Sequence, residues 1–174
     1  ELRRQIRAMH RASLGGFFMH ARSGLRTEYM GPKWMECVKA CLDEAGKLGM
    51  DAWLYDENGW PSGFAGGTVN QKGDAFRQKY LRYRSIAAEK ARASEATLSF
   101  YSPDGRTRYG KTLPAGITGN VLEFHYEINP FYVDNLDPQV VDEFLLCTHQ
   151  RYAENLSPTE MAAIRGVFTD EPQL

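Results

Sequence analysis

Twice in this chain an apolar run closes on Asp–Glu and then on a residue that breaks regular structure. The first is Trp53–Leu54–Tyr55–Asp56–Glu57, ahead of Asn58–Gly59–Trp60–Pro61–Ser62–Gly63; the second is Ile164–Arg165–Gly166–Val167–Phe168–Thr169–Asp170–Glu171, ahead of Pro172. Short apolar runs that follow helical segments read as buried parallel strands. In parallel α/β folds the loops beyond the carboxyl ends of the strands face the ligand, so both Asp–Glu pairs are expected at one mouth. Trp53, Tyr55 and Trp60 add flat apolar faces with polar edges, which suit a sugar ring. The plainer alternative is a structural Asp–Glu at a strand end beside aromatic core residues.

The segments around these runs fit that reading. Leu2, Ile6, Met9 and Ala12 recur at helical spacing in Glu1–Ser13, and Leu14–His20 follows as a short apolar strand. Gly31–Pro32 announces a helix whose face is Trp34, Val38, Cys41, Leu42 and Ala45, with Gly49 as its stop. The interval from Leu14 to Met50 matches one strand-plus-helix unit of a (β/α)8 barrel, about 31 residues. The expected fold is therefore α/β, a partial (β/α)8 TIM barrel. Its rhythm breaks over about 77–128. Gly73–Leu81 reads as a short helix, while Tyr83–Ala88, Ala96–Ser102 and Val121–Ile128 alternate like strands of an antiparallel insertion. Glu123, His125 and Glu127 form a row that could hold a metal, although alternation alone puts them on one strand face. The barrel rhythm is expected to resume at Pro130–Asn135. Asp137–Pro138 then starts a helix lined by Val140, Val141, Phe144, Leu145 and Thr148 to about Tyr152, and Ser157–Glu160 is a capping box.

Composition narrows the function. With 21 Lys and Arg against 22 Asp and Glu, the formal net charge of -1 gives no electrostatic reason to expect nucleic acid or an anionic membrane as partner. No apolar run is long enough to span a bilayer, and nothing at the start resembles a signal peptide. Because Glu1 opens directly into a helix, a native segment is expected ahead of it, which leaves localisation open. Cys37 and Cys41 stand four apart on one helix face with no His–Cys metal spacing, and read as buried free thiols that lean toward a reducing compartment.

Two carboxyl groups at one mouth are what glycoside hydrolysis requires, one holding a proton for the leaving oxygen and one ionised. Strand alternation lets one of each pair face the pocket. Glu57 and Glu171 are the candidates, having the longer reach, while Asp56 and Asp170 would hold the loops through backbone N–H groups. His20 and Arg22 follow the first strand and face the same mouth. His20 could hydrogen-bond a sugar hydroxyl, and Arg22 could pair with a carboxylate. Asn58 and Trp60 would hold and stack the sugar, with Asn129 and Asp134 on another loop. The partner is then a carbohydrate. The rival reading is an inactive carbohydrate-binding or scaffold fragment, whose open sheet edges could pair with another copy. A phosphate-binding loop at Gly63–Gly67 fits least, since it lacks the P-loop lysine and Asp56–Glu57 would repel phosphate.

The stretches Leu14–Leu25, Trp53–Gly67 and Phe168–Pro172 resemble the catalytic barrel of glycoside hydrolase family 106, the α-L-rhamnosidases and their relatives. The most specific part is Tyr55–Asp56–Glu57–Asn58 continuing through Pro61–Ser62–Gly63 to Gly66–Gly67. The resemblance implies that the chain covers about strands two to five of a longer barrel, with Glu57 as the catalytic acid of an inverting mechanism. It also implies a calcium ion against the sugar hydroxyls, with Glu171 either its ligand or the general base. Hard oxygens such as those of Glu171 and Asp170 suit calcium, and no other cofactor is implied. A carboxyl separation of about 6.5–9.5 Å marks inversion and about 5–5.5 Å retention.

Overall fold

Apolar spacing in the first residues produces α1 (Leu2–Arg11), which turns Ile6 and Met9 toward the main core. After β1 (Gly16–Ala21), Pro32 in the first turn and Gly49 in a left-handed C-cap (φ 65) bound α2 (Pro32–Leu48). Trp34, Val38, Cys41, Leu42 and Ala45 of α2 are buried against the inner face of β1 and of β2 (Asp51–Asn58), which supplies Ala52 and Leu54. Glu44 is buried on the same helix and accepts from Arg3 (3.1 Å) and Arg7 (2.5 Å), so α1 is tied down by charge as well as by packing. The computed structural model describes residues 1–174, which divide into two units: Glu1–Phe76 with Phe131–Leu174, and Arg77–Pro130.

In the first unit, β2 is the middle strand of a three-stranded parallel sheet in the order β1-β2-β7, where β7 is Ile164–Phe168. Leu54 is opposite Val167 and Tyr55 is opposite Phe168, so the two runs that end in Asp–Glu lie side by side. A Cβ on Gly166 would come within 2.6 Å of the Trp53 ring, which explains a glycine in the middle of so short a strand. Helices α3 (Pro138–Cys147), α4 (His149–Asn155) and α5 (Pro158–Ala162) precede β7. Asp137 caps α3 through Gln139 N–H, and Ser157 and Glu160 form the reciprocal capping box of α5. The helix expected to run to Tyr152 is broken at Thr148 (φ -123, ψ -82). On α3, Val140 and Phe144 are buried, whereas Val141 and Leu145 are exposed.

The second unit carries β3 (Arg77–Ala87), β4 (Thr97–Tyr101), β5 (Arg108–Gly110) and β6 (Asn120–Val133), whose last residues continue into the first unit. Its sheet has the order β3-β6-β4-β5, with β4 antiparallel to both of its neighbours. Phe100 and Val121 are buried at its centre, with Ala88 and Ala91.

The expected TIM barrel is not the fold. The parallel sheet has three strands, and alternating strand–helix units do not continue around it. Two local misreadings account for the difference. Of Pro130–Asn135, expected as a fresh parallel strand, Pro130–Val133 is the end of the 14-residue β6, which belongs to the other sheet, and Asp134 and Asn135 lie past it. An apolar run does not reveal whether a strand begins or continues there. Gly73–Leu81, expected as a helix, holds a single 3-10 turn at Asp74–Phe76 and then the start of β3.

Candidate active site

Alternation along β2 sends neighbouring carboxylates to opposite sides of the parallel sheet. Asp56 follows Ala52 and Leu54 toward the helix side, whereas Glu57 joins His20, Tyr55 and Phe18 on the other face. Both carboxylates are buried, each with 2 % exposure. Around Asp56 every contact is a strap. Ser62 Oγ donates to Oδ1 and Thr169 Oγ1 donates to Oδ2, each at 2.6 Å, and His149 Nε2 lies 3.7 Å from Oδ2. Ser62 Oγ in turn accepts from Asp170 N–H (2.9 Å), and Ser62 N–H donates to Asp170 O (3.0 Å). Tyr132 donates its hydroxyl proton to Ser62 O (2.5 Å) and accepts from Gln173 N–H (3.1 Å). Asp56 thus locks the loops beyond β2 and β7 together, through hydroxyls rather than through the backbone N–H groups expected of it.

Glu57 is held differently. Its Oε1 lies 2.8 Å from His20 Nε2, while its buried Oε2 has no hydrogen-bond partner. The His20 ring stacks flat on Tyr55, with centroids 3.7 Å apart and planes 6° apart. Tyr55 donates its hydroxyl to Asp170 Oδ2 (2.6 Å). That hydrogen bond, helped by partial burial and the charges of Asp170 and Glu57, pushes the Tyr55 phenol up to about 12. One chain of contacts therefore runs from Asp170 through Tyr55 and His20 to Glu57. It ends on a carboxyl group with one oxygen fixed and the other unengaged. Beside it stands an aromatic wall: Phe18 meets Trp53, Tyr55 and Phe168 at centroid distances of 6.0, 6.0 and 5.7 Å. Phe18 (50 %) and Phe168 (43 %) remain open to solvent.

The remaining expected residues are placed less centrally. Glu171 is exposed, has a left-handed backbone (φ 42), and its side chain makes no hydrogen bond or ion pair. Arg22 is exposed and pairs with no carboxylate; its charge is a minor downward pull on the Tyr55 phenol. Asn58 packs over Gly66, where a Cβ would fall 2.5 Å from its Nδ2 and the backbone is left-handed (φ 66), so glycine fits that turn. Trp60 is 53 % exposed on the loop that follows, ahead of a cis peptide to Pro61. Asp134 lies just past β6, its N–H bonded to Phe76 O (3.0 Å). Asn129 belongs to the other unit, where its amide donates to Gln78 and Tyr80. The residues that sequence reasoning missed as a group are Ser62, Thr169, Tyr132 and His149. The Pro–Ser–Gly and Thr–Asp–Glu contexts of the first two were visible, but not that they meet.

The chain gathers no group of three or more His, Cys, Asp or Glu side chains that could hold a metal ion. Calcium takes six to eight oxygen ligands, and here Asp170 is engaged by Tyr55 while Glu171 stands apart. The residues present do not fit that ion. The Glu123–His125–Glu127 row is likewise divided, with Glu123 bound by Arg84 (2.7 Å) and Thr97 (2.8 Å) and Glu127 by Arg82 (3.1 Å). Cys37, Cys41 and Cys147 are free thiols, and burial pushes those of Cys41 and Cys147 up to about 11. Compared with protein-family models, curated proteins and solved structures, the chain matches none of them.

Proposed function

We propose that this chain carries the acid half of a glycoside-hydrolysing site, with Glu57 as the proton donor and a carbohydrate, most specifically a terminal α-L-rhamnoside, as the substrate. The observation that carries the reading is the state of Glu57: a buried carboxyl group with one oxygen fixed by His20 and the other unengaged, beside a solvent-facing aromatic wall. A general acid needs a defined orientation and a proton aimed at the leaving oxygen. The His20 contact supplies the first, and the unengaged Oε2 is where the proton would be carried. When the glycosidic bond breaks, that proton moves to the departing oxygen, and water adds to the sugar carbon and loses a proton to a base. His20 Nε2–H then holds the new Glu57 carboxylate. Phe18 and Phe168 give the apolar face of a sugar ring a surface to lie on. The rhamnoside assignment rests on the resemblance of the Tyr55–Gly67 stretch to family 106, and Glu171 is the candidate base by the same route.

The test is hydrolysis of a panel of aryl glycosides, α-L-rhamnoside included, by the wild-type chain and its Glu57→Gln variant. The expected result is release of phenol from one glycoside, reduced about 10²–10⁴-fold in the variant. Turnover of an unactivated glycoside, whose leaving oxygen needs a proton, that survives Glu57→Gln would remove Glu57 from the role. Sugar binding without turnover would favour a carbohydrate-binding module.

A further inference from the structure

The second unit has its own chemistry. Arg77–Pro130 contains nine Lys and Arg against five Asp and Glu, a net +4, whereas the rest of the chain has twelve against seventeen, a net −5. The near-neutral total conceals a basic unit and an acidic one. The basic unit also presents an aromatic face. Ser99 is opposite Phe124 and Tyr101 opposite Leu122, so these side chains share one side of the sheet. Tyr83 stacks on Phe124 (5.7 Å, 27°), and Tyr101 meets the same ring edge-on (5.0 Å, 64°). Tyr83 is 69 % exposed. Arg108, paired in register with Tyr101, donates from Nε to Ser99 Oγ (3.0 Å), which leaves its two Nη groups without a protein partner. The only carboxylates on the four strands, Glu123 and Glu127, alternate to the opposite side, where they neutralise Arg84 and Arg82.

We propose that this face, with Tyr83, Phe124 and Tyr101 as its platform and Arg108 as its anchor, binds the chain of an acidic polysaccharide. The rings receive the apolar faces of the sugars, and the outward guanidinium receives a uronate carboxylate as a two-pronged partner. A single-stranded nucleic acid fits less well. It brings one phosphate per nucleotide and wants several cations along a groove with successive flat stacking surfaces. Here Arg82 and Arg84 are already paired, and Tyr101 stands edge-on to its neighbour. This binding does not depend on the catalytic reading of Glu57.

The experiment is affinity electrophoresis of the full chain through gels containing polygalacturonate, neutral dextran or poly(U), with Tyr83→Ala, Arg108→Gln and Arg82→Gln variants whose folding is checked by circular dichroism. The wild-type chain is expected to be retarded by polygalacturonate, less so as salt rises, and not by dextran. Tyr83→Ala and Arg108→Gln should each weaken retardation about tenfold, and Arg82→Gln, on the opposite side, should leave it unchanged. No retardation by polygalacturonate, equal retardation by dextran, tighter binding of poly(U) that the same two variants abolish, or an equal loss in Arg82→Gln would each overturn the proposal.

Discussion

Asp56 receives one hydroxyl proton on each oxygen in a place closed to water, and that makes it the most structurally committed residue at the candidate site. Hydrogen bonds to a charged acceptor contribute about 1.5–3 kcal/mol each, and removing the acceptor strands both donors. Asp56→Ala should therefore lower the unfolding free energy by about 2–4 kcal/mol in urea titration; an unchanged midpoint would contradict the strap assigned to it. Tyr55 makes a prediction about pH. Its phenol sits at about 12, above the ordinary value of about 10, chiefly because it donates to Asp170. The folded state holds this proton more tightly than the unfolded one. The resulting stabilisation is complete below about pH 10 and is lost as pH rises through about 12. In a spectrophotometric phenolate titration, the step that Tyr55→Phe removes should be the late one near 12, and Asp170→Asn should bring it back toward 10. A Tyr55 step already near 10 in the wild type would refute the hydrogen bond. At this scale the sequence disclosed which carboxylates stand at strand ends and that neighbours must diverge. It could not disclose that Thr169 and Ser62 meet on Asp56, or that Asp170 meets Tyr55. The contacts of Thr169 with Asp56 and of Asp170 with Tyr55 join residues over a hundred positions apart and depend on β7 lying beside β2.

Most elements of the first unit follow from local rules. The spacing of Leu2, Ile6 and Met9, Pro32 and Gly49 around α2, Asp137 before Pro138 and the Ser157–Glu160 box each predict an element or a boundary that the structure contains. What local rules could not supply was the partner of each strand. β6 runs through Pro130 because its end serves one unit and its body the other, and no periodicity marks that change of role. Pairing also decides the energetics. Leu54 and Val167 are opposite each other, yet Leu54 is 3 % exposed in the main core and Val167 is 40 % exposed. Leu54→Ala should cost about 2–5 kcal/mol as a cavity-forming change. Val167→Ala should stay near 0.5 kcal/mol, as for surface positions. Equal effects in chemical denaturation would contradict the difference in burial between these two register partners.

For the whole molecule, the three-stranded parallel sheet leaves the outer edges of β1 and β7 unpaired and an aromatic face partly open. Parallel sheets are ordinarily covered on both faces, and open edges invite pairing. Sedimentation velocity should therefore show association that grows with concentration, and a single monomeric species across a hundredfold range would contradict it. The expected barrel failed at this scale because one strand–helix interval, Leu14 to Met50, fits its period, while the number of strands that join one sheet is a property of the entire chain. The division of charge between the two units was equally available in the sequence, but hidden by a net value near zero. Whether Glu57 delivers a proton to a leaving oxygen is read from the dependence of turnover on the leaving group. With α-L-rhamnosides of a good leaving group (2,4-dinitrophenol) and a poor one (methanol), Glu57→Gln should keep most of the rate on the first, which needs little protonation. On the second it should lose about 10²–10⁴-fold. An equal loss on both substrates, or no loss on either, would contradict the assignment of Glu57 as the acid.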